Sequence, residues 1–218
     1  DTVFDYVKLY QDSNIKEWNY SVKGSFIAKS SNLECVKSDC VFGGGVDIRK
    51  TNIKKWDCNV PSYFDASYSS LKHVNPGCVF GSDVDIEGTS IKEWNCDVPG
   101  DFNAENCKNL EYMNPGCVFG SDVDIEGTSI KEWKCDVPGD FCARYCKKLE
   151  YVSSECLFGS NVNIEETNIR EWKCDVPGSL YANKCKKLEK ISDCKITGEI
   201  NTNDNVEIIK EEKHSMRM

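Results

Sequence analysis

Apolar residues recur in a fixed order along the chain, and that order repeats about every 38 residues. One unit reads V-x-I-x-x-T-x-I-x-x-W-x-C-x-V-P-x-x-F-x-A-x-x-C-x-x-L-x-x-V, and then a turn, a cysteine, an aliphatic residue and Phe-Gly follow. Spacings of 38, 38, 39 and 39 separate the tryptophans, which are Trp18, Trp56, Trp94, Trp133 and Trp172. A fixed period of this kind predicts a solenoid, in which each unit buries its apolar face against its neighbours.

The segment "DVDIEGT" alternates strictly between apolar and polar residues. This alternation predicts a β-strand with Val84 and Ile86 facing the core and with Asp83, Asp85 and Glu87 facing solvent. The tryptophan and Phe-Gly columns stand at apolar positions, so they predict an internal aromatic ladder.

Both ends of the array are degenerate. The first unit has Tyr20 where the others have cysteine, and a sixth, partial unit after Cys194 runs into the charged tail "KEEKHSMRM". Atypical end units are typical of caps in repeat proteins. We therefore predict an N-terminal capping repeat over residues 1–39, regular repeats over 40–193, and a partial C-terminal capping repeat with a charged tail over 194–218.

The motif V-x-I-x-x-T-x-I resembles the strand-and-turn core of leucine-rich repeats, with Thr51, Thr89, Thr128 and Thr167 where that family carries Asn. The second half-unit, as in "FNAENCKNLEYM", is similar to the Cys-containing repeats of the BspA-like branch of microbial and protist surface proteins. The resemblance covers nearly all of residues 3–200. It implies a mainly β repeat solenoid of about five units, with parallel strands, short helical or irregular returns and a ligand-binding strand face. The alternative is a β-solenoid in which each unit makes two circuits, or rungs, of the chain.

Cysteine makes up 14 of the 218 residues, whereas the chain has only two histidines and no C-x-x-C pair. This usage indicates disulfides in an oxidising compartment rather than zinc ligation. We therefore expect the solenoid to be laddered with disulfides.

Most cysteines recur at the same position in successive units, and we call each such set of positions a column. These columns restrict the pairing of the cysteines to two schemes. The first joins each cysteine that follows Trp to the next one that precedes Phe-Gly, and it uses all fourteen as Cys35–Cys40, Cys58–Cys78, Cys96–Cys117, Cys107–Cys142, Cys135–Cys156, Cys146–Cys185 and Cys174–Cys194. The rival scheme joins Cys40 to Cys58, and so on within each unit, which leaves Cys35 without a nearby thiol. We favour the first scheme for that reason.

The segment "NPGCVFGSDVDIEGTSIKEW" occurs twice, so the outward carboxylates also repeat. Stacking of neighbouring units predicts that Asp83 faces Asp122, Asp85 faces Asp124 and Glu87 faces Glu126. These six residues are therefore expected to form an acidic face. Position twelve of an EF-hand loop would fall on Trp94, which excludes that calcium motif. A solvated surface left by duplication is one interpretation, and a face that binds a basic partner, a glycan or weakly held Ca²⁺ is the other. No other cofactor is expected.

Several function classes are disfavoured. The net charge of −9 argues against nucleic-acid binding, and no apolar run is long enough to span a membrane. His73 and His214 are isolated, and identical units make identical shallow environments, so we do not expect an enzyme. The sequon at Asn19 and the N-terminal Asp favour a secreted, processed glycoprotein.

The sequence therefore predicts a secreted structural or interaction protein of an extracellular coat, wall or filament, whose partners are further copies of itself or other extracellular proteins. The alternative is a leucine-rich-repeat recognition module that binds a basic protein or a glycan on its acidic face.

Overall fold

A computed structural model describes residues 3–209, and in this part of the chain all regular structure consists of β-strands of two residues each. The strands are β1 (Val3–Phe4), β2 (Val7–Lys8), β3 (Glu17–Trp18), β4 (Ser21–Val22), β5 (Phe26–Ile27), β6 (Cys35–Val36), β7 (Val46–Asp47), β8 (Lys55–Trp56), β9 (Phe64–Asp65), β10 (His73–Val74), β11 (Val84–Asp85), β12 (Glu93–Trp94), β13 (Phe102–Asn103), β14 (Tyr112–Met113), β15 (Val123–Asp124), β16 (Glu132–Trp133), β17 (Phe141–Cys142), β18 (Tyr151–Val152), β19 (Val162–Asn163), β20 (Glu171–Trp172), β21 (Leu180–Tyr181), β22 (Lys190–Ile191), β23 (Ile200–Asn201) and β24 (Glu207–Ile208).

Eleven strands form one parallel sheet, which we call the sheet face. Its order is β2-β5-β7-β9-β11-β13-β15-β17-β19-β21-β23. Neighbouring strands pair in register, as Val84 pairs with Phe102 and Phe102 with Val123. Each of these strands belongs to one circuit of the chain, which we call a coil. The described residues therefore form a parallel β-solenoid of about eleven coils, and each unit of 38 or 39 residues spans two of them.

The other two sides of the solenoid are bridged in pairs of coils, except at the ends, where β20, β22 and β24 join three coils on one side, and β1, β4 and Phe42 join three on the other. On the tryptophan side, β8 pairs with β10 and β12 pairs with β14. On the third side, single bridges join Val60 to Phe80 and Val98 to Phe119. Among residues 3–209, no such bridge joins Phe80 to Val98, although these residues lie in consecutive coils. In the described part of the chain, away from its ends, backbone bridges on these two sides therefore join the two coils of a pair but do not join one pair to the next.

The nine coils from β5 to β21 leave the sheet face through the same kind of corner, with a positive φ three residues after the strand. The Asp85 carboxylate accepts the backbone N–H of Glu87 at 2.8 Å, and Gly88 then has a φ of +66°. Asn106 occupies the equivalent place in the next coil, with a φ of +58°. Since glycine and asparagine tolerate this left-handed region best, the "DVDIEG" segment is explained as a strand followed by a corner.

The core is a continuous row of aromatic rings packed against aliphatic side chains. Consecutive ring centroids lie 4.7–6.0 Å apart along the series Trp18, Phe26, Phe42, Trp56, Phe64, Phe80, Trp94, Phe102, Phe119, Trp133, Phe141, Phe158 and Trp172. All of these residues are buried, which confirms the predicted internal aromatic ladder.

The predicted parallel solenoid is confirmed, and its structural repeat is the coil rather than the 38–39-residue unit. Residues 3–209 contain no helix, so the returns between strands are irregular and none is helical. In this same range no helix has the length and apolar character that a membrane crossing needs. The boundaries of the predicted capping repeats remain predictions, and residues 210–218 of the charged tail lie outside the described residues.

Candidate interaction surfaces and thiol column

The predicted acidic residues lie on the sheet face, and the first of three rows runs along its edge. The row consists of Asp83, Asp101, Asp122 and Asp140 in successive coils. The carboxylate of Asp83 accepts the N–H of Asp101 at 3.0 Å, Asp101 accepts that of Asp122 at 3.2 Å, and Asp122 accepts that of Asp140 at 2.7 Å. Each carboxylate is therefore held by the backbone of the next coil.

Two further rows follow on the same face. The second contains Asp85, Asn103 and Asp124, and the third contains Glu87, Glu105 and Glu126. The structure thus brings the six predicted residues onto one face, but it does not stack them directly. The expected contact of Asp83 with Asp122, of Asp85 with Asp124 and of Glu87 with Glu126 is wrong, because a whole coil lies between the members of each pair.

Arginines interrupt the acidic face at two places. The Arg49 guanidinium lies 2.5 Å from the Asp47 carboxylate and 2.9 Å from that of Asp65. Near the other end, Arg144 lies 3.7 Å from Glu126 and also approaches Glu165.

The carboxylates between these arginines repel one another. Burial is the main cause that raises the pKa of Asp85, Glu105 and Asp124, and the charge of Glu87 adds to it in each case. The face therefore carries negative charge at a cost to the folded state. Within residues 3–209 no group of three or more carboxylate, His or Cys side chains is arranged to hold a metal ion.

The third side carries a row of exposed aliphatic residues that the sequence did not reveal as a surface. This aliphatic stripe contains one residue in every second coil, with 64–69% of its surface exposed, and it consists of Val41, Val79, Val118 and Leu157. The side chain of the preceding coil holds the backbone of each one, as Asp97 Oδ1 accepts the N–H of Val118 at 2.8 Å. Since coils are about 4.8 Å apart, the stripe repeats about every 10 Å.

Nine cysteines form a single row along one edge of the solenoid, which we call the thiol column. It carries one cysteine in each of nine consecutive coils, namely Cys40, Cys58, Cys78, Cys96, Cys117, Cys135, Cys156, Cys174 and Cys194. Both pairing schemes join neighbours in this column. The structure contains no disulfide among the cysteines from Cys35 to Cys185, so the disulfide ladder is not confirmed.

The thiols in the column are mostly buried, and their pKa values respond to that burial. Desolvation first, and then the neighbouring cysteines Cys78 and Cys117, raise the pKa of Cys96 to about 12. Burial likewise raises the pKa of Cys117 to about 11. At neutral pH these thiols are therefore protonated.

Two of the three remaining expected pairs do not meet. Cys146 and Cys185 stand two coils apart, and Thr167 of the intervening coil lies 3.5 Å from the Cys185 sulfur. Cys107 and Cys142 are also in coils two apart, and Cys142 lies on the sheet face, 3.8 Å from Glu126 Oε2. Cys35 is exposed, in the same coil as Cys40. The sequon residue Asn19 is exposed as well.

No protein-family model, no curated protein and no solved structure matches this chain. Its surfaces must therefore be interpreted from their own geometry.

Proposed function

We propose that this chain is a secreted, non-enzymatic structural or interaction protein of an extracellular coat, wall or filament, which packs side by side with further copies of itself. The observation that carries this proposal is the aliphatic stripe. Val79 and Val118 present branched apolar side chains that the backbone holds at a fixed interval of about 10 Å along the solenoid. A contiguous exposed apolar patch marks an interaction surface, and we propose that this regularly spaced row acts as one.

A second copy fits the stripe because it has the same interval. When two solenoids lie side by side in register, each apolar residue of one stripe meets one of the other, and a polar residue of the intervening coil, namely Asn59, Asp97 or Asp136, separates successive contacts. A row one side chain wide buries less than the roughly 800 Å² per partner of a standard interface. Each contact is therefore weak, and we expect assembly to depend on many contacts acting together.

The remaining parts of the proposal rest on the sequence. The cysteine usage and the exposed sequon at Asn19 support an extracellular, glycosylated protein. The motif Phe-x-Ala-x-x-Cys-x-x-Leu supports kinship with BspA-like leucine-rich repeats, and we propose that kinship on the motif alone.

Sedimentation velocity on the purified chain at several concentrations tests the proposal. We expect the wild-type chain to form assemblies. We expect the double variant Val79→Asp, Val118→Asp to form none. Aspartate is tolerated at these positions, since Asp97 and Asp136 alternate with the valines in the same row. Tyr112→Glu with Tyr151→Glu is the matched control, because it adds the same charge on the tryptophan side, beside Glu132. A chain that is monomeric at all concentrations, or equal loss in both double variants, would contradict the proposal.

The acidic face supports a second candidate function, recognition of a basic protein. Asp85, Glu105 and Asp124 have raised pKa values because they are partly buried near other carboxylates, so a cationic partner would relieve repulsion there. Sedimentation with calcium and with a chelator separates cation bridging from apolar contact. If only the chelator dissolves assemblies, the carboxylates, and not the stripe, hold them together.

A further inference from the structure

The thiol column contains two alternative sets of neighbours, and the backbone distinguishes them. Cys58 lies between Cys40 in the preceding coil and Cys78 in the following coil. Adjacent parallel strands are about 4.8 Å apart, which is within the range of about 4.4–6.8 Å between Cα atoms that a disulfide spans. Distance along the solenoid alone therefore permits either neighbour.

The bridges described above favour the following coil. Cys58 and Cys78 belong to one bridged pair, in which Trp56 pairs with Val74 on one side of the cysteines and Val60 with Phe80 on the other. The same holds for Cys96 with Cys117, for Cys135 with Cys156 and for Cys174 with Cys194. These bridges fix the backbone of both partners within two to four residues of each sulfur.

The thiol hydrogen bonds do not choose between the two neighbours, because each one runs to the preceding coil. That direction leads towards the proposed partner for Cys78, whose Sγ donates to the carbonyl oxygen of Trp56 at 3.8 Å, and away from it for Cys58 and Cys96. Cys58 Sγ donates to the carbonyl oxygen of Lys37, in the coil of Cys40, at 3.2 Å, and Cys96 Sγ donates to that of Asn75 at 3.4 Å. A sulfur changes its direction by rotation about χ1, whereas the register of two bridged coils is fixed by their backbone hydrogen bonds. We therefore give the backbone register the greater weight.

We propose that the thiol column is a modification site in which oxidation joins the coils two by two, as Cys58–Cys78, Cys96–Cys117, Cys135–Cys156 and Cys174–Cys194. This inference rests on the extracellular location in the proposed function. For each pair, two thiols lose two protons and two electrons as one S–S bond forms, and a small disulfide such as oxidised glutathione is reduced to two thiols. Because the buried thiols are protonated, oxidation takes place during folding, before the coils close over them.

The same geometry leaves a second group of cysteines reduced. Cys107, Cys146 and Cys185 recur in every second coil, at about 10 Å, which is beyond the limit of about 7 Å for a disulfide. A threonine of the intervening coil lies between neighbouring members, as Thr128 Oγ1 lies 3.3 Å from Cys146 Sγ and Thr167 Oγ1 lies 3.5 Å from Cys185 Sγ. The oxidised protein thus keeps buried thiols at these three positions.

Peptide mapping by mass spectrometry tests the pairing on chain refolded in a glutathione redox buffer, then denatured and alkylated without reductant. We expect the four cross-links above and alkylation of Cys107, Cys146 and Cys185. Cross-links in the other register, such as Cys78–Cys96, would overturn the proposal, and so would alkylation of all the column cysteines.

Single cysteine variants sharpen the test, because the two pairing registers predict that a different thiol becomes alkylated in each variant. Cys96→Ser is expected to release Cys117 and leave the other three pairs intact, whereas the other register would release Cys78. Cys107→Ser is the matched control and is expected to change no pair. Sedimentation of the same samples keeps the two proposals apart. If the chain assembles without these cross-links, only the proposed disulfides are contradicted. If the cross-links form without assembly, only the proposed structural function is contradicted.

Discussion

The carbonyl oxygen of Pro99 lies so close to Gly120 that a Cβ atom at residue 120 would stand 1.9 Å from it. Gly120 follows the bridge between Val98 and Phe119, where two coils meet. We expect Gly120→Ala to lower the free energy of unfolding by about 1–3 kcal/mol, because the coils must move apart. Urea unfolding measures this change.

Gly116→Ala is the control for that variant, since it lies in the same coil. The nearest atom to a Cβ there is Asn114 Oδ1 at 3.5 Å, which is an ordinary contact. We expect its effect to stay within about 0.5 kcal/mol. Equal losses for the two variants would show that glycine flexibility, and not the close approach of the coils, determines the cost.

The sequence predicted the solenoid but not its coil, for a physical reason. Structurally equivalent positions in consecutive coils carry residues of different types, since Val84 pairs with Phe102 and Asp85 with Asn103. In one coil the two inward residues around the strand are Val84 and Ile86, and in the next they are Phe102 and Ala104. A large ring beside a small methyl fills the space of two medium side chains. A comparison of identical residues therefore detects only every second coil.

The candidate site was predictable to the same extent. Strand alternation placed Asp85 and Glu87 on the surface correctly, but their true neighbours, Asn103 and Glu105, lie in the coil that the repeat concealed. The aliphatic stripe was missed because Val118 precedes a buried Phe and follows a buried Cys, so the sequence gives it the character of a core residue.

Trp133 is an internal indole of the aromatic row. Its ring lies 4.7 Å from that of Phe141 and 6.0 Å from that of Phe119, and its Nε1 donates to the carbonyl of Cys135 at 2.8 Å. We expect Trp133→Ala to cost about 3–5 kcal/mol. Because repeat proteins are stabilised by contacts between neighbouring coils, unfolding followed by circular dichroism should separate into two transitions.

Tyr112→Ala is the matched control for the loss of an aromatic ring, because Tyr112 is about half exposed on the tryptophan side. We expect it to leave one transition with nearly unchanged midpoint. A single transition in Trp133→Ala with a loss below about 1 kcal/mol would contradict the role of the aromatic row.

Asp85 gives the acidic face a predictable dependence on pH. Its pKa is raised from 3.8, chiefly by burial, so above the raised value the ionised carboxylate weakens the folded state. As the pH falls through that raised pKa, the folded chain binds the proton first and this contribution to stability rises. We expect Asp85→Asn to raise the free energy of unfolding at pH 7 by about 0.5–1 kcal/mol and to reduce the gain on acidification. Asparagine suits the corner, since Asn103 already accepts the Glu105 N–H there at 2.9 Å.

Asp140→Asn is expected to change the free energy of unfolding in the direction opposite to Asp85→Asn. The hydrogen bond from Ser160 is the main cause that lowers the pKa of Asp140, so its stabilising contribution is present at neutral pH and is lost as the pH falls through the lowered value. Urea unfolding across this pH range should therefore show lower stability for Asp140→Asn at pH 7. If both variants changed stability in the same direction, net charge alone would explain the result.

Arg49 and Asp47 form the most buried ion pair of the sheet face, with a separation of 2.5 Å. The Asp47 side chain is only 6% exposed, whereas that of Arg49 is 36% exposed. Removing the guanidinium leaves a desolvated carboxylate whose main charged partner is gone, so we expect Arg49→Ala to lower stability by about 2 kcal/mol. This value lies below the range for fully buried pairs because solvent reaches the arginine. Asp47→Asn combined with Arg49→Ala should recover part of the loss, since the most buried carboxylate charge is then removed and only the more exposed Asp65 has lost its arginine partner. Lys16→Ala removes the exposed pair with Glu34 and should cause no measurable change. Urea unfolding of these variants measures the coupling directly, and strictly additive losses for Arg49 and Asp47 would show that the pair does not act as a unit.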